Sequence, residues 1–70
     1  MKRLQTRIAL YRRIKGISRR ELGRCLDCSY PALMKYESGD RMPLREIVLK
    51  LLEFFDCGFD DLFFFRNIHT

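Results

Sequence analysis

The most reactive side chains in this 70-residue chain belong to three cysteines and one histidine. Cys25 and Cys28 form a Cys-x-x-Cys pair, and Cys57 with His69 could bring the set to four zinc ligands. Structural zinc sites usually supply a second closely spaced pair, which is missing here, and Cys28 is needed as an inward-facing residue at a turn. A redox role requires a βαβ context that the sequence lacks. We therefore expect no metal site and no redox centre.

Side chains for acid–base or nucleophilic catalysis are equally scarce. His69 is the single histidine, no Gly-rich phosphate loop is present, and the carboxylates are accounted for by helix caps and helix ends. We predict no enzyme activity, no cofactor and no small-molecule substrate. No apolar run approaches the roughly 20 residues that span a bilayer, no signal peptide is visible, and an odd cysteine count fits a reducing compartment. A cytoplasmic protein without a membrane partner is expected.

Charge is the strongest compositional signal. The net charge is +5, but residues 1–45 hold 12 Lys and Arg against 4 Asp and Glu, whereas residues 46–70 hold 2 against 5. A polyanion would be attracted to one side of the molecule only, which is typical of nucleic-acid binding. Basic residues can also form an ordinary solvated surface, so charge alone leaves both interpretations open.

Apolar residues at helical spacing predict five helices in one domain over residues 1–70. Leu4, Ile8, Tyr11 and Ile14 form one stripe, and Gly16 ends that helix. Pro43 opens the longest apolar stripe of the chain. The predicted helices cover about residues 4–15, 19–26, 30–37, 43–55 and 59–63.

The two short central helices carry clear end signals. Ser18 and Glu21 have the spacing of a capping box, Asp27 suits a tight turn, and Ser29 followed by Pro31 begins the next helix. Two helices joined in this way have the geometry in which the second enters the major groove of DNA.

The segment 16–43, GISRRELGRCLDCSYPALMKYESGDRMP, resembles the Cro/C1-type (XRE-like) helix-turn-helix family, the class of the lambdoid phage repressors and many small bacterial regulators. The resemblance extends over about residues 8–63. Gly23 and Asp27 stand where the family usually has Ala and Gly, and both keep a small or turn-tolerant residue. The matching positions are Ser18, Glu21, Leu22, Ser29, Tyr36, Glu37, Gly39 and Pro43.

The resemblance implies an all-α, five-helix, lambda-repressor-like DNA-binding domain, with the motif at about residues 18–37 and a short tail, residues 64–70, that can be extended. It also implies a bacterial or phage-encoded regulator that binds double-stranded DNA sequence-specifically. Because one copy has a small footprint, we expect a homodimer on an inverted-repeat operator, acting as a repressor.

Site roles follow from the resemblance by position. It implies that Arg19 contacts phosphate, that Lys35 faces the bases, and that Arg12 and Glu37 form an ion pair that serves folding. Arg45 could also approach the backbone. The full predicted DNA-binding set is Arg19, Arg20, Ser29, Tyr30, Pro31, Lys35, Ser38 and Arg41.

Several of these residues also have a simpler interpretation. Arg19 and Arg20 could be ordinary solvated charges. Tyr30 could cover the start of its helix, and Pro31 could serve only as a helix starter. Met34 could fill a gap in the core or contact the groove, and the first is favoured.

The Phe-rich tail leaves a second function open. It could fold back on its own core or form a dimer contact. The alternative to DNA-dependent regulation is a protein-interaction module, such as an antitoxin-like partner or co-regulator, and DNA affinity after removal of the tail would discriminate the two. RNA binding comes third, because only the positive charge supports it.

Overall fold

The computed structural model describes residues 2–67 and contains five helices and a small sheet. The helices are α1 (Ile8–Lys15), α2 (Arg19–Leu26), α3 (Tyr30–Ser38), α4 (Arg45–Phe55) and α5 (Phe59–Leu62). The strands are β1 (Lys2–Thr6) and β2 (Phe63–Asn67). The prediction of a mostly helical, five-helix domain is confirmed, and the small antiparallel sheet adds to it an element that the sequence did not indicate. His69 and the remaining tail residues beyond Asn67 lie outside the described residues.

The sheet joins the two ends of the described chain. β1 and β2 pair antiparallel, with Lys2 opposite Asn67 and Leu4 opposite Phe65. Residues 2–7 were expected partly in the first helix, because the spacing of Leu4 and Ile8 fits a helical stripe. Pairing with a segment about 60 positions away overrides that local pattern, since it supplies the backbone hydrogen bonds. The tail therefore folds back on its own chain as far as Asn67.

The exposure of one side chain and the ends of several elements also differ from the prediction. Ile14, expected in the buried stripe of α1, is 71% exposed. The fourth helix begins at Arg45 with Leu44 as its N-cap, so Pro43 precedes the helix by two positions. Phe63 begins β2 instead of ending α5. Such shifts are common, because the last turn of a helix is held by few hydrogen bonds.

The core lies where the central helices meet the start of α1 and the start of β2. Its side chains come from every helix and from one strand, so the sheet shares a single core with the helices. The buried apolar residues are Ile8, Leu22, Leu26, Leu33, Tyr36, Val48, Leu51, Phe55, Leu62 and Phe63.

Gly39 connects the sheet to the end of α3. It has the left-handed φ of 83° that ends this helix, and a Cβ at this position would overlap the carbonyl oxygen of Leu4 in β1. Gly16 also has a positive φ, 71°, but a Cβ there would meet nothing within 4 Å. Comparison of the two positions therefore distinguishes the free-energy cost of the left-handed backbone from the cost of a Cβ that would overlap β1.

We predict that Gly39→Ala destabilises the protein much more than Gly16→Ala. The Gly16 variant should lose about 1 kcal/mol of unfolding free energy, from the left-handed conformation alone. The Gly39 variant should lose about 3 kcal/mol, since β1 must also shift. Urea unfolding measures both, and equal losses would contradict the contact between Gly39 and β1.

Candidate nucleic-acid interface

A tight turn holds α2 against α3. Asp27 ends α2 with a left-handed φ of 55°, as the sequence predicted, and the Cys28 N–H donates to the Gly23 carbonyl oxygen at 3.0 Å. Gly23 is buried, and a Cβ there would lie 3.3 Å from the Cys28 carbonyl oxygen. A small residue at this position therefore allows the turn to close onto the helix.

Both helices of this motif are capped by serine. The Ser18 side chain accepts from the Glu21 N–H at 3.1 Å, and the Ser18 N–H donates to Glu21 Oε1 at 3.1 Å, which confirms the capping box. These bonds with Ser18 lower the pKa of Glu21, so their contribution to stability is lost as the pH falls through that lowered pKa. Ser29 caps α3 by accepting from the Ala32 N–H at 3.3 Å. The Ser29 hydroxyl is therefore already engaged in capping α3.

One carboxylate ties three helices together. Glu37 of α3 accepts from Arg12 Nε of α1 at 3.1 Å and from Arg19 Nε of α2 at 2.9 Å. The side chain of Glu37 is only 7% exposed. Arg12 also donates to the Ile17 carbonyl oxygen at 3.0 Å. Arg12 and Glu37 thus make the contact that the resemblance implies, and Arg19 joins it.

Arg19 was expected on a phosphate, and in this structure its Nε is bound to Glu37. The bond to Glu37 raises the pKa of Arg19 further above its ordinary value. The side chain remains 38% exposed, so the outer part of the guanidinium can still meet an anion. No local pattern in the sequence indicates this second ion pair, because Arg19 and Glu37 are 18 positions apart.

The outward face of α3 carries the residues that were expected to face bases. Leu33 and Tyr36 are buried and hold the opposite face of this helix in the core. Met34 is 42% exposed, so it does not fill a gap in the core. The exposed residues of the helix are Tyr30, Pro31, Met34, Lys35 and Ser38.

The end of α3 turns back on itself through Ser38. Its hydroxyl donates to the Lys35 carbonyl oxygen at 3.1 Å and accepts from the Asp40 N–H at 3.3 Å. The Arg41 N–H also donates to the Lys35 carbonyl oxygen, at 3.3 Å, and the Arg41 side chain is exposed. Arg3 of β1 lies 3.5 Å from Asp40 and pairs with it, and Arg41 adds a second cation beside this turn.

An open groove beside the start of α3 is lined by three arginines. It has a volume of about 270 Å³ and includes Arg19, Arg20 and Arg24 of α2, with no acidic residue among its lining residues. The Arg20 guanidinium lies 5.7 Å from the centre of the Tyr30 ring, across the groove. Arg24 was missed by the sequence analysis, although its spacing of four from Arg20 places both on one helix face.

The cysteines do not converge on a site. Cys25 is exposed, and Cys28 and Cys57 are half-buried. Burial raises the pKa of the Cys28 thiol and that of the Cys57 thiol, which favours the unreactive protonated form. Within residues 2–67 no group of three or more His, Cys, Asp or Glu side chains could hold a metal ion.

Comparison with known families matches most of the chain to a family model. Residues 8–62 match the model of a helix-turn-helix family, and the match begins after β1 and ends before β2. A search of curated proteins gives no match. In the described part of the chain, every helix is too short or too polar to cross a membrane.

We predict that Glu37→Gln lowers the free energy of unfolding by about 3 kcal/mol, because the change leaves a nearly buried Arg12 without its counter-charge. Thermal and urea unfolding followed by circular dichroism measure the loss. Glu53→Gln, an exposed carboxylate of α4, is the matched control and should change stability by less than about 0.5 kcal/mol. Similar losses in the two variants would contradict the role given to Glu37.

Proposed function

The chain belongs to the Cro/C1-type helix-turn-helix family of DNA-binding transcription regulators, and on this premise we propose that it is a repressor that binds an inverted-repeat operator as a homodimer. The observation that carries the proposal is the outward face of α3, which stands free between cationic residues of α2 and of the turn after α3. An exposed helix between cations suits insertion into the major groove.

Phosphate contacts would supply most of the affinity. Arg20 is exposed beside Tyr30 at the start of α3 and Arg41 is exposed just after its end, so both can meet phosphates that border the groove. The part of Arg19 that Glu37 leaves exposed can join Arg20. Ser38 can donate to a phosphate oxygen by rotating its hydroxyl hydrogen away from the Lys35 carbonyl oxygen. Ser29 contributes chiefly by capping α3, whose N-terminal end favours a nearby phosphate.

Lys35 is the best candidate for a hydrogen bond to a base. It is exposed on α3 one turn after Pro31, and its ammonium can donate to guanine O6 or N7. Tyr30 can donate through its hydroxyl, while Arg20 beside its ring limits the orientations of the side chain. These residues would give the sequence preference, and the arginines would give the salt dependence.

The dimer is supported by the outer edge of β2. The sheet has two strands within the described residues, and β1 lies against Gly39, so β2 offers the more open edge. Phe65 is 67% exposed on this strand. Exposed apolar edge strands readily pair with another chain. Pairing of two copies along β2 would also connect their α3 helices, because in each copy β1 pairs with β2 and contacts Gly39 at the end of α3.

A protein-interaction module is the second candidate function, and the same exposed Phe65 favours it. In that case a different protein would cover the edge of β2. If the chain is a repressor, a variant that no longer dimerises through β2 should keep its affinity for a single half-site. A chain that binds no DNA but retains a partner at β2 would fit the module.

We predict that Lys35→Ala and Arg20→Ala affect DNA binding in different ways. Selection from a random duplex pool should enrich an inverted repeat with the wild type, and Lys35→Ala should relax the preference at one base pair, at a cost of about 1–3 kcal/mol. Arg20→Ala should weaken all duplexes alike and reduce the slope of log affinity against log salt by about 0.9.

The matched control for these charge changes is Lys50→Ala. Lys50 lies on α4 beside Cys25 and Glu53 and is not among the residues that line the arginine groove. It should leave the preference and the salt slope unchanged. If Lys50→Ala and Arg20→Ala had equal effects, binding would depend on net charge only, against the proposed interface.

We further predict that Phe65→Glu prevents dimerisation, because two carboxylates would meet at the paired edge. Sedimentation should show a monomer, and affinity should fall for the inverted repeat while affinity for a single half-site is retained. Ile14→Glu, at an equally exposed position on α1, should remain dimeric. A dimeric Phe65→Glu protein would place the dimer contact elsewhere.

A further inference from the structure

The outward face of α3 is unusually apolar for a surface that is proposed to enter the hydrated major groove of DNA. Met34 and Tyr30 are each exposed by more than two fifths, and Pro31 is exposed between them. Met34 and Tyr30 are four positions apart and therefore lie on one ridge of the helix. Leaving such side chains in water forgoes the gain from burying them.

Hydrogen-bonding groups on this face are few. Pro31 and Met34 contribute no side-chain donor, and the Ser38 hydroxyl already donates to the Lys35 carbonyl oxygen. Lys35 and the Tyr30 hydroxyl are the remaining donors of the exposed set. Two donors cannot specify a whole half-site by hydrogen bonding alone, because each base pair presents its own pattern of donors and acceptors.

We propose that Met34, with Pro31 beside it, recognises the 5-methyl groups of thymines in the major groove. This inference rests on the proposed function and adds the class of operator: half-sites that place thymine opposite the apolar ridge of α3. The thymine methyl is the one apolar group that a base pair displays in the major groove. The flexible thioether of Met34 can adjust to a methyl group that it covers.

The surroundings of Met34 favour DNA over an apolar peptide as the occupant. Met34 lies in an open groove together with Arg19, Ser38 and Glu37, the carboxylate of Glu37 is paired with two arginines, and Lys35 follows Met34 on the same exposed face. An apolar ridge bordered by cations matches the major groove, where methyl groups lie between two phosphate backbones. A purely apolar partner would leave Lys35 without a counter-charge.

The test replaces thymine by deoxyuridine, which removes only the methyl group. The probe is the duplex that the wild-type protein selects from a random pool, synthesised with deoxyuridine at one half-site thymine at a time. We expect at least one replacement to weaken wild-type binding about fourfold, the effect of one buried methyl group. Met34→Ala should bind the unmodified duplex more weakly and be insensitive to that same replacement.

Leu49→Ala is the matched control, since Leu49 is an exposed apolar residue of α4, and it should keep the wild-type response to deoxyuridine. Circular dichroism should show both variants folded, as both side chains are exposed. A selected duplex that tolerates every replacement, or equal sensitivity in wild type and Met34→Ala, overturns this inference alone. A pool from which nothing is enriched contradicts the proposed function, and this inference with it.

Discussion

The Glu37 carboxylate is the interaction on which the placement of α3 depends. It lies almost out of contact with water and accepts from guanidinium groups of two other helices. An ionised carboxylate in such a place is costly unless it is paired and hydrogen-bonded. The two arginines satisfy that requirement, and because they carry two positive charges against one negative, the network leaves a net positive charge beside α3.

The sheet holds the other end of the same helix. The Thr6 hydroxyl of β1 donates to the Glu37 carbonyl oxygen at 2.7 Å, and β1 passes against Gly39 just beyond α3. Ser29 caps the start of the helix. Its N-terminus is thus held by its own cap, and its last turn and the residue that follows are both held by β1, which suits the proposed contact of its outward side chains with defined positions on DNA.

The sequence predicted the features that depend on neighbouring residues. The capping box of Ser18 and Glu21 and the left-handed turn at Asp27 are local, because their partners lie within three or four positions. The β-sheet could not be found in this way, since Leu4 and Phe65 pair across nearly the whole chain. The contact between Arg19 and Glu37 was also missed, because it depends on how α2 and α3 pack and not on spacing.

The most direct test of the central claim, that α3 and the start of α2 form the DNA-binding surface, is to map amide chemical shifts of isotope-labelled protein during titration with a mixed-sequence duplex. We expect shifts concentrated in residues 19–20 and 30–41, with those of Cys25, Lys50 and Glu53 unchanged. Shifts confined to β2 and α4, or none at concentrations where binding of DNA is measurable, would contradict it.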